Sequence, residues 1–288
     1  MKSVKIVVVG AGVVGFSTAV CIAEVLPFCS VTLLADQFTP DTTSDVAAGI
    51  VFASEFPEIP LERQRRWFKE SFDHLLAIAQ SQESSDAGVL LSSGWQIFKD
   101  VPADKNPFWS EYVLGFRTMS ARELKRFPNH KFGQAFTTIK CECSTYLPWL
   151  ENRFIKAGGQ IIRKRVSSLE ELGPSYDLIV NCCGLGSRSL VGDEEVDQGD
   201  SEGILERCSR LEPSLSRAQV LGEWVGLRPG RRNPRLAREL VLLGGRQVPV
   251  VHNYGHGGWG VALSWGTALD ALGLIRSWLY ENPPKARL

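Results

Sequence analysis

Gly10, Gly12 and Gly15 fall in the run Gly10-Ala11-Gly12-Val13-Val14-Gly15, and Asp36 follows 21 residues after the last of them. Glycines at this spacing do three separate jobs. The first permits a tight turn, the second lets backbone approach a pyrophosphate, and the third lets a helix pack closely on a strand. A carboxylate some twenty residues further on can accept ribose hydroxyls. The chemistry open to such a set is dinucleotide binding. The glycine spacing alone does not separate a nicotinamide from a flavin.

Arg228, in Gly226-Leu227-Arg228-Pro229, is a second candidate. A planar guanidinium pairs bidentately with a carboxylate. It also stands in a basic run with Arg231, Arg232, Arg235 and Arg238, so a solvated charged face is an equal reading. His252 and His256 are four apart, which on a helix would place two metal ligands on one face. The glycines at 255, 257, 258 and 260 argue against a helix there, so both histidines read as structural or cavity-lining and no metal is expected. Neither paired carboxylates nor a nucleophilic triad is evident.

The elements around these residues suit their positions. Val4 to Val9 is a β-branched run fit for a strand buried on both faces. The glycines follow it, and Phe16 to Leu26 reads as a helix stopped by Pro27. Ser30 to Ala35 is a second strand ending at Asp36. The helix N-terminus then offers free N–H groups and positive potential to phosphates. Residues 4–23 are apolar enough to imitate a signal peptide, but the placed glycines account for them better.

Composition narrows the classes. Lys+Arg and Asp+Glu are equal at 32 each, so no net field draws the chain to nucleic acid or to an anionic membrane. No other stretch of the 288 residues is long and apolar enough to span a bilayer. The seven cysteines include Cys141, Cys143 and the adjacent Cys182-Cys183 but form no C-x-x-C pattern, so a reducing compartment is expected.

Several further blocks occur in order along the chain. Asp41-Thr42-Thr43-Ser44-Asp45-Val46-Ala47-Ala48-Gly49 is a hydroxyl-rich loop closing on small residues. Ser93-Gly94-Trp95-Gln96-Ile97-Phe98 and Phe132-Gly133-Gln134-Ala135-Phe136-Thr137-Thr138 follow. Asp177 to Gly186 is a buried strand running into a glycine turn, and His252-Asn253-Tyr254-Gly255-His256-Gly257-Gly258-Trp259-Gly260 precedes a helical stretch to Tyr280. Together these blocks resemble the D-amino-acid oxidase family of flavoproteins, over nearly the whole chain, and within it the members acting on acidic substrates.

That resemblance implies an α/β fold: a Rossmann-like FAD-binding domain interleaved with an α+β substrate domain on a mixed sheet, here internally truncated. The FAD-binding domain would comprise about 1–50, 132–190 and 249–288, and the substrate domain about 51–131 and 191–248. FAD would be held by Gly10, Gly12, Gly15, Asp36, Thr43 and Ser44, with Ile50 against the isoalloxazine and Val166 contacting adenine through its backbone. Gln37 stands where relatives often carry a basic residue. Gly257, Gly260, Val261 and Ala262 match a late flavin-binding loop, whose N–H groups and helix dipole would stabilise charge developing on the flavin. Arg228 matches the arginine that holds the substrate carboxylate, and Gly258 the carbonyl that receives its amine.

The implied activity is oxidative deamination of acidic D-amino acids, D-aspartate foremost, with molecular oxygen as co-substrate and hydrogen peroxide released. The cofactor carries the hard chemistry and the protein positions the substrate. Between Asp193 and Ile204 the family carries about fifty more residues, room for several strands. Their loss should expose sheet edges and apolar faces and open the pocket wall. The alternative is therefore a catalytically impaired or non-catalytic FAD-binding chain. An NAD-dependent dehydrogenase ranks below both. Ala286-Arg287-Leu288 has the small–basic–Leu form of a peroxisomal address, implying a peroxisomal import receptor as partner and the peroxisome matrix as location.

Elsewhere, Pro60–Gln80 and Tyr146–Ala157 are expected as helices and Ser120–Glu123 as a capping box. Gln160–Val166 is expected as a strand, and Glu239–Val251 as a hairpin turning at Gly244-Gly245.

Overall fold

Side chains on β1 (Val4–Val9) alternate between two cores, as a strand's period of two requires. In the computed structural model, which describes residues 3–198, 208, 211–219 and 226–283, Ile6 and Val8 face one apolar cluster, and Val7 and Val9 face another. Ile6, Val7 and Val8 are wholly buried, each stabilising the fold by about 1.5–3 kcal/mol.

In chain order the main elements are β1, α1 (Val13–Val25), β2 (Cys29–Ala35), α2 (Leu61–Ala79), β3 (Val89–Phe98), β4 (Leu114–Thr118) and β5 (Phe132–Cys141). There follow α3 (Cys143–Lys156), β6 (Gln160–Arg163), β7 (Leu178–Asn181), β8 (Asp197–Gln198), β9 (Pro229–Leu243), β10 (Arg246–His256) and α4 (Gly260–Glu281). The larger sheet has seven strands in the order β6-β2-β1-β7-β10-β9-β8. The first five are parallel, while β9 pairs antiparallel with β10 and the edge strand β8 antiparallel with β9. From β1 the chain steps to β2 on one side and later returns to β7 on the other. That reversal leaves a crevice beyond the C-terminal ends of β1 and β7, where open α/β sheets bind ligands.

A smaller antiparallel sheet has the order β3-β5-β4. It joins the first unit through residues 49–51: Val51 N–H donates to the Ile139 carbonyl at 2.9 Å, and Cys141 N–H to the Gly49 carbonyl at 2.8 Å. The expected partition assigned 132–190 whole to the nucleotide unit and 191–248 to the substrate unit. Strand β5 pairs with β3 and β4 and bridges to Ile50, and β9 lies beside β10 in the seven-stranded sheet. Hydrogen-bond pairing, not position along the chain, decides membership. The small sheet is poorly covered: Leu91 is 41% and Trp95 45% exposed, with Leu90 and Leu114 exposed beside them.

Local readings agree with the structure at α2, at the capping box of Ser120 and Glu123, and at the β9–β10 turn. Helix α3 begins at Cys143, three residues before the expected start. Strand β6 ends at Arg163, short of Val166. Ala286-Arg287-Leu288 and residues 199–203 lie outside the described residues.

Candidate FAD and substrate site

A cavity of about 1670 Å³ opens at the C-terminal ends of the parallel strands. Small-ligand clefts usually measure ~300–1,000 Å³. Every residue expected from the sequence to hold cofactor or substrate lines it: Gly10, Gly12, Gly15, Asp36, Gln37, Thr43, Ser44, Ile50, Val166, Arg228, Gly257, Gly258, Gly260, Val261 and Ala262.

The glycine turn is closed to any side chain. Gly10 has φ +113°, and a β-carbon there would sit 2.4 Å from the Cys182 carbonyl oxygen at the end of β7. One on Gly15 would meet the Gly10 carbonyl oxygen at 1.9 Å, which is how α1 comes to lie so near β1. Gly12, the N-cap of α1, has ordinary extended backbone, and its hypothetical β-carbon meets only Ser44 Oγ at 3.1 Å. Ser44 itself accepts the Val13 N–H at 3.0 Å. It sits in a 3₁₀ turn, Thr43–Val46, fixed by a capping box between Thr42 and Asp45.

Two helices aim their N-termini at the cavity. Both α1 and α4 lack an acidic residue in the first turn, and neither N-cap side chain bonds the helix backbone. Their positive ends are thus left for a ligand. Among the lining residues Asp36 is the one acid, while Lys164, Arg165 and Arg228 are cationic. Lys164 pairs with Glu171 at 2.6 Å, whereas no described acid pairs with Arg165 or Arg228. Asn253, fully buried and lining the cavity, leaves its Oδ1 without a partner. Glycines that admit only backbone, two positive helix ends, one acid and unpaired cations suit a dinucleotide diphosphate.

At the far end the basic run resolves into two kinds of arginine. Arg231 pairs with Asp193 and Glu195, Arg232 with Glu58, Arg235 with Glu239, and Arg238 with Glu281. Arg228 alone in that run has no acid among the described residues. Its stem passes over Gly258, in the turn Gly257–Trp259 that leads into α4.

The two histidines are accounted for on strand β10. His252 is buried, with Nε2 2.9 Å from Glu239 Oε1. Burial pulls its pKa down despite that carboxylate. His256 lies 3.2 Å from Thr267 Oγ1, and burial lowers its pKa to about 4. Burial likewise raises the Cys182 thiol to about 12, so it stays protonated. Arg165, Asn253 and Tyr254 also line the cavity and were missed. The only sequence signal for Arg165 was its place beside Val166, and Asn253 and Tyr254 were visible only as part of the late block.

A sequence profile of FAD dependent oxidoreductases, the DAO family, matches residues 5–195 and 191–271. D-aspartate oxidase from Homo sapiens is 47% identical over 96% of this chain and 95% of its own length. The chain belongs to the D-amino-acid oxidase family of FAD-dependent oxidoreductases.

D-amino-acid oxidase from Rubrobacter xylanophilus is 34% identical, over 94% of this chain and 95% of that one. Among solved structures, glycine oxidase from Geobacillus kaustophilus superposes with a TM-score of 0.67 at 16% identity, covering 96% of this chain and 95% of that one. It supports the fold alone. The two family matches meet at 191–195, and the alignment with the human relative spans 325 positions against 288 residues here. This member of the D-amino-acid oxidase family therefore lacks a block that its relatives carry, at the place where one was expected to be missing.

Proposed function

We propose that the chain oxidises acidic D-amino acids, D-aspartate foremost, to the 2-oxo acid, ammonia and hydrogen peroxide. The observation that carries this reading is Arg228, the cavity-facing arginine left without an acid in a run where four neighbours are paired. Bound FAD supplies the acceptor for the hydrogen and electron pair leaving the substrate Cα, with molecular oxygen as the final acceptor.

The chain's own residues bind and orient. Gly10, Gly12 and Gly15 let backbone and the α1 N-terminus meet the diphosphate, with Thr43 and Ser44 beside it. Asp36 accepts the ribose hydroxyls, Val166 and Gln37 lie at the adenosine end, and Ile50, Gly257, Gly260, Val261 and Ala262 border the flavin. Arg228 takes the substrate α-carboxylate in its two-pronged fork, and the Gly258 carbonyl accepts from the substrate amine, which together fix the face of Cα presented.

The non-catalytic alternative is not favoured, since the cavity keeps its carboxylate anchor and nearly the whole chain aligns with an oxidase. The C-terminal tripeptide supports delivery to the peroxisome matrix by its import receptor, checked by whether a reporter carrying Lys285–Leu288 reaches that compartment.

The activity is tested by recording the visible spectrum of the FAD-loaded protein before and after anaerobic D-aspartate. Bleaching in the native chain and its loss in Arg228→Ala is the expected pair of results. An oxidised spectrum that D-aspartate leaves unchanged would overturn the reading.

A further inference from the structure

The strands β9 and β10, which begin just after Arg228 and end just before Gly258, lose their regular ladder close to both residues. Pairing of β9 with β10 runs without a break from Leu243↔Arg246 to Arg235↔Tyr254 and is next made at Gly230↔His256. Residues 231–234 thus bulge opposite Gly255, and a bulge bends its strand and removes ladder bonds. Gly255 has φ +85°, and a β-carbon there would lie 2.9 Å from Arg231 Cβ. Between β9 and β10, the backbone pairing that sets Arg228 against Gly258 thus comes down to the one pair Gly230↔His256 beyond the bulge.

Asp193 bridges the bulge from a third element, the segment after the short helix Ser187–Leu190. Its Oδ2 accepts from the Tyr254 hydroxyl on β10 at 2.7 Å and from Arg231 Nε on β9 at 3.1 Å. Its Oδ1 accepts from the Glu195 N–H at 3.2 Å. The Asp193 side chain is 8% exposed, so water competes poorly for these bonds. Both strand partners are held again nearby: Arg235 donates to the Tyr254 hydroxyl at 3.0 Å, and Arg231 to the Asn233 carbonyl at 2.9 Å. Burial works against ionisation of Asp193, but the Tyr254 bond and the Arg231 charge outweigh it and hold the carboxyl below its usual range. The Tyr254 phenol is pushed up to about 12, by burial first and then by Asp193.

We infer that Asp193 is a positioning residue that staples β9 to β10 across the bulge and so sets Arg228 against Gly258. It lies within 191–195, the seam at which the family matches meet, so the shortened chain keeps this staple at the edge of the missing block. The inference rests on the proposal that Arg228 and Gly258 receive the substrate.

The test uses FAD-loaded full-length protein and five variants: Asp193→Asn, Asp193→Glu, Tyr254→Phe, the double Asp193→Asn/Tyr254→Phe, and Arg228→Ala. Five quantities are read: KM and kcat for D-aspartate, Kd for succinate as a non-oxidisable dicarboxylate followed by the flavin spectrum, Kd for FAD, and Tm. D193N is expected to raise KM and the succinate Kd together by roughly tenfold, the effect of losing a charge-assisted bond at a placed group, with FAD Kd unchanged. D193E should recover part of that loss. Y254F should move the same two constants less, and the double variant should be no worse than D193N alone, because both act through one joint.

Unchanged KM and succinate Kd in D193N, or a fall in Tm and FAD affinity that D193E does not reverse, overturns the inference. Should D193N not fold, Y254F decides, since it leaves the Arg231 pair in place: normal constants there overturn the inference too. The R228A arm separates the two levels. If R228A leaves succinate binding intact, the proposed substrate anchor fails and this inference with it. If R228A loses succinate while D193N does not, only the role of Asp193 fails.

Discussion

A β-carbon on Gly258 would lie 3.7 Å from Cδ and Nε of Arg228 and 3.8 Å from its Cζ. Those are ordinary van der Waals distances, and Gly258 has no positive φ, so alanine fits there without strain. The added methyl would occupy the space beside the guanidinium where the substrate is proposed to lie. Gly258→Ala should therefore keep its flavin and its Tm while KM for D-aspartate rises about tenfold, the scale of one misplaced polar contact. Steady-state peroxide release at varied D-aspartate measures it. An unchanged KM would move the substrate away from Gly258.

Gly15 and Gly12 of the first turn should respond differently. At Gly15 an alanine methyl would collide with backbone at 1.9 Å, so Gly15→Ala should lower stability by about 1–3 kcal/mol and lose flavin through the fold. At Gly12 the nearest atom is the Ser44 hydroxyl at 3.1 Å, a side chain able to give. Gly12→Ala should keep the apoprotein's urea midpoint but weaken FAD binding, because the methyl stands where backbone must approach the diphosphate. Equal stability loss in both variants would count against a ligand role for Gly12.

Legibility in the sequence follows the range of the interactions. β1, the glycine turn, α1, β2 and Asp36 could be read because each rests on neighbours within a few residues: the β-branched run, the glycine spacing, Pro27 as a stop. The cavity residues were reached through the blocks resembling a known family, and each lines the same space. What stayed hidden depends on pairing between distant segments. Nothing in Phe132–Cys141 says that it pairs with β3 and β4, since a strand's partners are not written in its own residues. The isolation of Arg228 was equally invisible, because it emerges only once Glu58, Glu239 and Glu281 have taken its neighbours. In the sequence Asp193 marked only the edge of the shortened stretch, and its role emerges once Tyr254 and Arg231 meet it.

Arg165 is expected to supply the charge that Gln37 does not. It lines the cavity near Asp36 and Val166, and no described acid pairs with it. Being exposed, it should contribute modestly. Arg165→Ala is expected to weaken FAD binding about three- to tenfold at low salt, with a smaller difference at high salt as screening takes over. Fluorescence titration of apoprotein with FAD reads both. A Kd that does not change at low salt would leave Arg165 without a part in cofactor binding.

The uncovered small sheet should make the chain prone to self-association. Leu91 and Trp95 are each more than two-fifths exposed on β3, an edge strand of ten residues, and exposed edges with apolar side chains template further pairing. Leu91→Lys should reduce the high-mass fraction in size-exclusion chromatography while leaving flavin content alone. No change in that fraction would place the sticky surface elsewhere.

Acid should destabilise the fold through histidines that are buried neutral. Burial holds His256 at about 4, and burial followed by the Arg153 charge holds His74 at about 3, against an ordinary value of 6.5. His74 lies stacked 3.5 Å from the Trp265 ring, with Nε2 3.0 Å from the Tyr146 hydroxyl, and has no room to gain a hydrated proton cheaply. Above the unfolded pKa neither state binds the proton, so these groups leave stability independent of pH. As pH falls below about 6.5 the unfolded chain takes up protons that the folded chain refuses, and stability declines until the folded pKa is reached. For His256 that window closes near 4, and the loss across it is on the order of 3 kcal/mol. Urea midpoints measured from about pH 7 down to about pH 4 should fall steadily in the native chain, and the slope should flatten in His256→Gln, whose amide can still bond Thr267 but does not titrate. Parallel slopes in the two proteins would show that His256 takes no part in the acid response.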